Sequence, residues 1–379
     1  MKKIIKLSVA AALAATAMNA AVVDNVKLDG KARLFYETND ATGTMFSEDQ
    51  GTKGQLRLTA SASADVGPLK VNLRSNVLTT AGLEQAVVTG PQTATAETIN
   101  YTDIANVSAT VGGTTLVVGT QELNTPMCFT EGWNIHRNTF DANVVINKGL
   151  IPNTTLIYAD VKSTNADGAG LNADGEQTSL LKGNAGSSAS MIAASTTIAG
   201  QPLNVYFYDV DVNGVTAATV LWADTKVAGL INIIAAQRDD QAGQEGNAFA
   251  ISGSTKVAGL NVFAAYSNVS DDGQNFMNVA TAKKTKLPTQ AVYVDGTIVA
   301  QSDAETVKIK VSGVEVAGVK LALQHVASEN DAANTKNNET DLIATTKVAG
   351  IAVKALLMNI QKDSTPTQTN FRVYANYSF

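Results

Sequence analysis

The chain has 379 residues, with 28 Lys and Arg against 34 Asp and Glu, a formal charge of −6, and 45% hydrophobic but only 6% aromatic residues. The acidic balance argues against nucleic acid as a partner, and the single cysteine, Cys128, excludes an intramolecular disulfide framework. No Pro-rich or charged linker divides the sequence, so its length reads as one domain behind a short leader.

The leader is expected at 1–20. Lys2, Lys3 and Lys6 precede an apolar run from Leu7 to Ala15, and small residues follow. That is the pattern of a cleaved secretory signal peptide, too short to remain as a membrane-spanning helix. Cleavage near Ala20 or Ala21 leaves 21–379 and takes the formal charge from −6 to −9. The remainder contains no uninterrupted apolar stretch of about 18 residues, so no transmembrane helix is expected.

Strands follow in chain order. Over 26–37, Val26, Leu28, Ala32, Leu34 and Tyr36 alternate with Lys27, Asp29, Lys31, Arg33 and Glu37. Over 55–65, Leu56, Leu58, Ala60 and Ala62 alternate with Arg57, Thr59, Ser61 and Ser63; over 69–79, Leu69, Val71 and Leu73 alternate with Lys70, Asn72, Arg74 and Asn76. A period of two is a strand signal. Further strands are predicted at 103–111, 114–121, 142–148, 153–162, 190–199, 203–212, 216–226, 230–238, 246–256, 260–270, 304–316, 319–328, 338–348, 351–361 and 369–379.

A short phrase joins several of them. "TKVAG" stands at 225–229, 255–259 and 346–350, and "VEVAG" at 314–318. With a strand on each side, the glycine marks a tight hairpin turn. Similar turns are read at 65–69, 111–115, 147–153 and 198–202. The turn glycines of the phrase recur at intervals of 30, 59 and 32 residues. A solenoid would need a near-constant repeat, whereas a chain of hairpins tolerates loops of any length. Long polar connections are predicted around 40–53, 81–102, 163–190 and 271–301.

Short turns at one end and long loops at the other predict an all-β fold, a closed antiparallel transmembrane β-barrel of 18 strands. The count becomes 16 if one weak pair is misread. Alternation alone does not separate this from a soluble sandwich. The leader, the loop asymmetry and the aromatic C-terminus do. Closure sets the last strand beside the first, so Arg372, Arg33, Arg57 and Arg74 form a basic ladder on one wall of the lumen.

The connection at 122–141, "ELNTPMCFTEGWNIHRNTFD", is unlike the others. Met127, Phe129, Trp133, Ile135 and Phe140 give it apolar anchors, so it is expected to fold inward as the third long loop. There it would narrow the pore and set Glu122, Glu131 and Asp141 against the ladder, creating a transverse field. Acidity overall leans towards cation preference, while the ladder pushes the other way.

Residues 116–146, and "LDGKARLFYET" within 26–38, resemble the major outer membrane porins of campylobacter-like bacteria. The ending "FRVYANYSF" is similar to the terminal-aromatic assembly signal of outer-membrane proteins, here Tyr377 and Phe379. The resemblance implies an 18-stranded, trimeric diffusion porin with a third loop constricting its channel at about 121–141. By position in the motif it assigns Gln121, Asn124, Thr125, Pro126, Glu131 and Asp141 to the constriction. Expected partners are outer-membrane lipid and lipopolysaccharide, two further copies of the chain and the barrel-assembly machinery, with no nucleic acid. The location is the bacterial outer membrane. Passive diffusion of ions and small hydrophilic solutes is the function implied.

Rival readings are weaker. His136 and His325 are the only histidines and no serine motif stands beside either, so no enzyme and no catalytic residue is expected. The acidic, Gly-rich segments at 165–176 and 270–273 offer oxygens for weakly bound calcium but lack EF-hand spacing, and no other cofactor or metal is expected. A surface adhesin or structural barrel with little channel activity is the alternative.

Overall fold

The computed structural model describes residues 23–379 apart from 42–43, 47–50, 84–97, 168–169, 172–174, 182–183 and 364. The leader at 1–20 lies outside the described residues. Eighteen long strands form the wall. In chain order they are β1 (Val23–Asn39), β2 (Lys53–Val66), β3 (Leu69–Thr79), β4 (Ile99–Val111), β5 (Thr114–Gln121), β6 (Phe140–Asn147), β7 (Thr154–Thr164), β8 (Ser187–Ile198), β9 (Gln201–Val212), β10 (Val215–Val227), β11 (Ile231–Asp240), β12 (Glu245–Val257), β13 (Leu260–Val269), β14 (Ala304–Val316), β15 (Val319–Asn330), β16 (Thr335–Val348), β17 (Ile351–Lys362) and β18 (Gln368–Ser378).

Each strand pairs antiparallel with the next, and β18 returns to β1 through Lys31↔Ser378 to Asn39↔Asn370. Phe379 extends the seam: its N–H and carbonyl bond the carbonyl and N–H of Gly30 at 2.9 and 2.8 Å. A Cβ on Gly30 would lie 2.2 Å from the Phe379 ring, so the bare backbone there leaves room for the terminal aromatic. Closure removes the free edges that an open sheet would expose.

The repeated phrase is a primed turn. Ala258 and Gly259 have φ of 49° and 82°, Ala317 and Gly318 51° and 77°, and Ala349 and Gly350 48° and 86°. The flanking pairs Val257↔Leu260, Val316↔Val319 and Val348↔Ile351 leave two-residue loops. Two successive positive φ values match the right-handed twist of the strands they join. On the opposite, long-loop side β9 and β10 are joined just as tightly, by Asn213 and Gly214.

Alternation resolves the two faces. Leu28, Ile192, Phe207, Ile309, Leu323 and Leu357 point outward and are exposed. The inner face divides in two. On β6 to β12 it is largely small and apolar: Ala142, Ala159, Ala189, Ala193, Ala236, Ala248 and Ala250 stand among Val144, Met191, Tyr208, Val220, Trp222 and Ile234. Two connections fold inward onto it. One is 122–139, whose Met127 and Cys128 join this cluster; the other is 270–303, through Phe276, Ala280, Leu287 and Ala300. Alanines on the wall let the loop backbones approach closely, while the larger side chains fill between them.

The inward course of 270–303 corrects its reading as a solvated loop. Its Gly, Asn and Asp cluster at the start, whereas Phe276, Leu287, Val294 and Val299 behind them are fully or almost fully buried. The four-residue helix α1 (Gly296–Val299), capped by Asp295, closes the segment.

Candidate pore constriction

The ladder residues come from the wall. Arg33 on β1 lies directly opposite Arg57 on β2, both on the inner face. Like charges directly opposite destabilise a sheet, and among the described residues neither has an ion-pair partner. Arg33 sits 4.9 Å above the Tyr374 ring, and Lys354, opposite Tyr374 on β17, stands 6.0 Å from the same ring.

The other two predicted rungs are occupied. Arg74 binds both oxygens of buried Asp103 at 2.8 Å and Glu122 at 2.7 Å. Arg372 pairs with Glu37, with both side chains only 7% exposed, and its Nη2 also donates to the Tyr293 hydroxyl at 2.8 Å. Tyr293 belongs to the second inward loop and donates to Glu37 at 2.9 Å. Tyr374 accepts from Arg372 and donates to Asn134 of the first loop at 2.9 Å. Arg372 therefore pins both loops to the β18–β1 wall.

The acidic side of the expected field divides. Glu122 faces the ladder and accepts from Arg74 and, at 3.1 Å, from Arg137. Burial opposes its ionisation, but Arg74 and then Arg137 hold the carboxyl below the usual carboxylate range. Glu131 turns away. Buried to 2% exposure, it accepts from Asn278 at 2.9 Å, Thr281 at 2.5 Å and the Lys284 N–H at 3.3 Å, so it fastens one loop to the other. Asp141 is placed opposite Thr120 on β5, which shares the outer face with Leu116 and Val118. Strand parity takes its carboxyl out of the lumen.

The motif residues divide between an anchor and the border of an opening. Gln121 donates to the Ala142 carbonyl at 2.9 Å and ties β5 to β6. The Thr125 hydroxyl closes a tight turn on the Cys128 carbonyl at 2.6 Å, and Lys286 reaches Asn124 at 2.6 Å while lying 4.4 Å above Phe129. Asn124, Thr125 and Pro126 border a hollow of about 510 Å³ against β9 to β12, separate from the ladder. Cys128 is buried in the apolar cluster, and burial pushes its thiol up and out of the reactive range. His136, 3% exposed, lies beside Arg57 and Arg33; burial and then those charges push its imidazole down to about 3. His325 is on the surface and shares a hydrogen bond with Thr340.

A second opening, of about 480 Å³, lies between the loops and the wall made by β17, β18, β1 and β2. Arg33, Lys53, Lys354 and Lys362 line it from the barrel, and Lys283 and Lys284 from the second loop. Sequence reasoning missed Lys354, Lys362 and the loop lysines. Lys354 was readable, since strand parity sets it with Leu356 and Met358 on the inner face. The loop lysines carried no period to follow. Glu339 on β16 also escaped notice: its carboxylate accepts the N–H groups of Val292, Tyr293 and Val294 at 3.1, 2.8 and 2.6 Å and holds the second loop to the wall.

Tyr377 and Phe379 stack at 5.8 Å on the exposed outer face, at the closing seam. No group of three or more metal-binding side chains occurs among the described residues, and 165–176 is described only in part.

No protein-family model matches the chain, and no curated protein matches its sequence. Solved structures do match. OccK9 (OpdG) of Pseudomonas aeruginosa superposes with a TM-score of 0.73 at 14% identity, over 94% of this chain and 98% of that one. OccK8 (OprE) gives 0.72 at 13%, over 95% and 99%. OpdK of the same organism, solved with vanillate, gives 0.72 at 11%, over 95% and 100%. These neighbours are outer-membrane porins with 18-stranded barrels. At such identity the likeness establishes the fold, a closed antiparallel barrel of 18 strands.

Proposed function

We propose that this protein is an outer-membrane porin that passes small hydrophilic solutes by passive diffusion and favours anions. The observation that carries the reading is the cavity of about 480 Å³ bounded by six lysines and arginines from both the wall and the second loop, besides Arg372. Of the acids bordering it, Glu37 is held by Arg372 and Asp295 by Lys283 at 2.7 Å. A lumen with this excess of positive charge favours anions where it is narrow. This reverses the lean towards cations drawn from net charge, because acids on the outer face and in rim loops are screened within about 10 Å at moderate salt.

An exposed apolar outer face supports placement in the outer membrane, among lipid and lipopolysaccharide, with the leader removed on export. A homotrimer, insertion by the barrel-assembly machinery guided by Tyr377 and Phe379, and kinship with campylobacter-like porins belong to the same reading; the kinship rests on 26–38 and 116–146 alone. Neither a catalytic role nor a cofactor is part of it.

The test is single-channel recording of purified protein in a planar bilayer under a potassium chloride gradient. Stepwise conductance with a reversal potential of anion-selective sign is expected. A cation-selective sign overturns the selectivity. Silence from folded protein overturns the channel and brings the adhesin forward.

A further inference from the structure

We infer that the cavity is built to select doubly charged small anions, and that Lys284 of the second inward loop is the residue that makes it two-sided. The inference rests on the anion-passing reading above and adds to it a substrate class and a specificity residue.

The geometry begins with charges that have no local partner. Arg33 stands opposite Arg57, a repulsive cross-strand pair, and Lys354 shares the Tyr374 ring with Arg33 from the neighbouring strand. These lie on the barrel side. Facing them across the cavity is the segment from Lys283 to Asp295. Lys283 is neutralised by Asp295, and Arg372 by Glu37. The Lys284 backbone is fixed, since its N–H donates to Glu131; the residue borders the cavity, and its ammonium has no ion-pair partner among the described residues. A solute in the cavity thus meets uncompensated cations on opposite sides. A monoanion satisfies one side at a time. A dianion with its charges at its two ends satisfies both.

Magnitude separates the two cases. Across water, a cation about 7 Å away favours a single negative charge roughly threefold, so two cations, each facing one end of a dianion, favour it roughly ninefold. Removing one cation therefore costs a dianion roughly threefold, whereas a monoanion, which can use the opposite wall instead, loses less than about twofold. A merely structural lysine would not produce that relation, because deforming the cavity would weaken both anions alike.

The first inward loop is also placed to keep Lys284 in register. Glu131 accepts from Asn278, Thr281 and Lys284 together, and Asn278 donates to the Phe129 carbonyl at 2.7 Å. The loop predicted to supply the acidic wall instead positions a basic one.

The test measures block of chloride current by succinate and by propionate, with sulfate and a phosphate monoester as further dianions that separate carboxylate from phosphate sources. Wild-type protein should bind succinate at least roughly threefold more tightly than propionate. Lys284→Gln should weaken succinate about threefold and propionate less than about twofold, and Lys284→Arg should restore both. Lys354→Gln, on the opposite wall and independent of loop packing, should likewise weaken succinate more than propionate. Equal block by succinate and propionate in the wild type, or equal weakening of the two in both glutamine variants, overturns the inference while leaving an anion-selective porin intact. A cation-selective reversal potential in the wild type removes the reading beneath it.

Discussion

The two halves of the inner wall were made from the same kind of strand and solve opposite problems. From β6 to β12 the inward positions are alanines and larger apolar residues, and two loops cover them, leaving Trp222 and Tyr208 about 1% exposed. From β17 through β18 to β2 the inward positions include Arg372, Arg33, Arg57 and Lys354; the loops touch this wall through Tyr293 and Asn134 but leave a cavity beside Arg33 and Lys354. The first half behaves like a soluble core turned inside a barrel, held by burial at about 25 cal/mol per Å². The second tolerates a repulsive Arg33–Arg57 pair beside an open cavity. Loop packing on the apolar side thus leaves the basic cavity on the other side, with the hollow under Asn124, Thr125 and Pro126 as a separate opening.

The largest expected effect comes from Arg372, where both loops are tied to the basic wall. Breaking a buried, hydrogen-bonded ion pair by removing one partner costs about 3–5 kcal/mol. Arg372→Ala should lower the urea midpoint of the folded barrel and raise conductance as both loops loosen. A variant with wild-type stability and conductance would break the link between the halves.

Next is the filled half itself. Leu287→Ala should cost about 2–5 kcal/mol, the usual range for a buried leucine. It should also raise open-channel noise, while the sign of ion selectivity stays unchanged. A changed sign would mean that the apolar side carries ions too.

Acid should act on the first loop through His136. Its imidazole is pushed down to about 3 from an ordinary 6.5, so the undocked loop binds the proton more readily than the docked one. Stability from this group is full above about pH 6.5 and is lost as pH falls towards 3. Thermal midpoints measured from pH 7 to 4 should fall less steeply in His136→Gln than in the wild type. Parallel slopes would show that the histidine stays neutral for no structural reason.

Smaller effects sharpen the contrast. Arg33→Gln relieves a like-charge pair and should leave stability equal or higher by roughly 0.2–1 kcal/mol, while reducing anion preference. Ala258→Gly changes neither half. Because Ala258 is at φ 49°, the glycine removes a left-handed alanine from the turn and should be close to neutral or slightly stabilising, with selectivity unchanged.

Strand order, inward and outward faces and the turns were legible because they depend on neighbours along the chain. A period of two set Leu34 against Arg33 without any knowledge of the barrel, and "VAG" marked its turns because two positive φ values in succession demand small residues. Alternation put Arg33 and Arg57 on one face of consecutive strands; that they stand directly opposite is set by the β1–β2 register. The second loop was not legible. Its apolar residues, Phe276, Leu287 and Val294, follow no period; the first two are buried among alanines far away in sequence, on β6 to β12, and Val294 packs with Val326 of β15.

Glu131 and Asp141 show the same boundary from the other side. Both are acidic, both belong to the segment expected in the constriction, and composition treats them alike. One is buried against Asn278 and Thr281, some 150 residues further along, and the other is turned outward by a strand parity that depends on where β6 begins. By itself the sequence determined an 18-stranded barrel and much of one basic wall, since hairpins and alternation are local properties of the chain. Only the tertiary structure decided which charges are spent on each other and which remain free in the lumen, because pairing is fixed by proximity between segments that no short-range pattern connects.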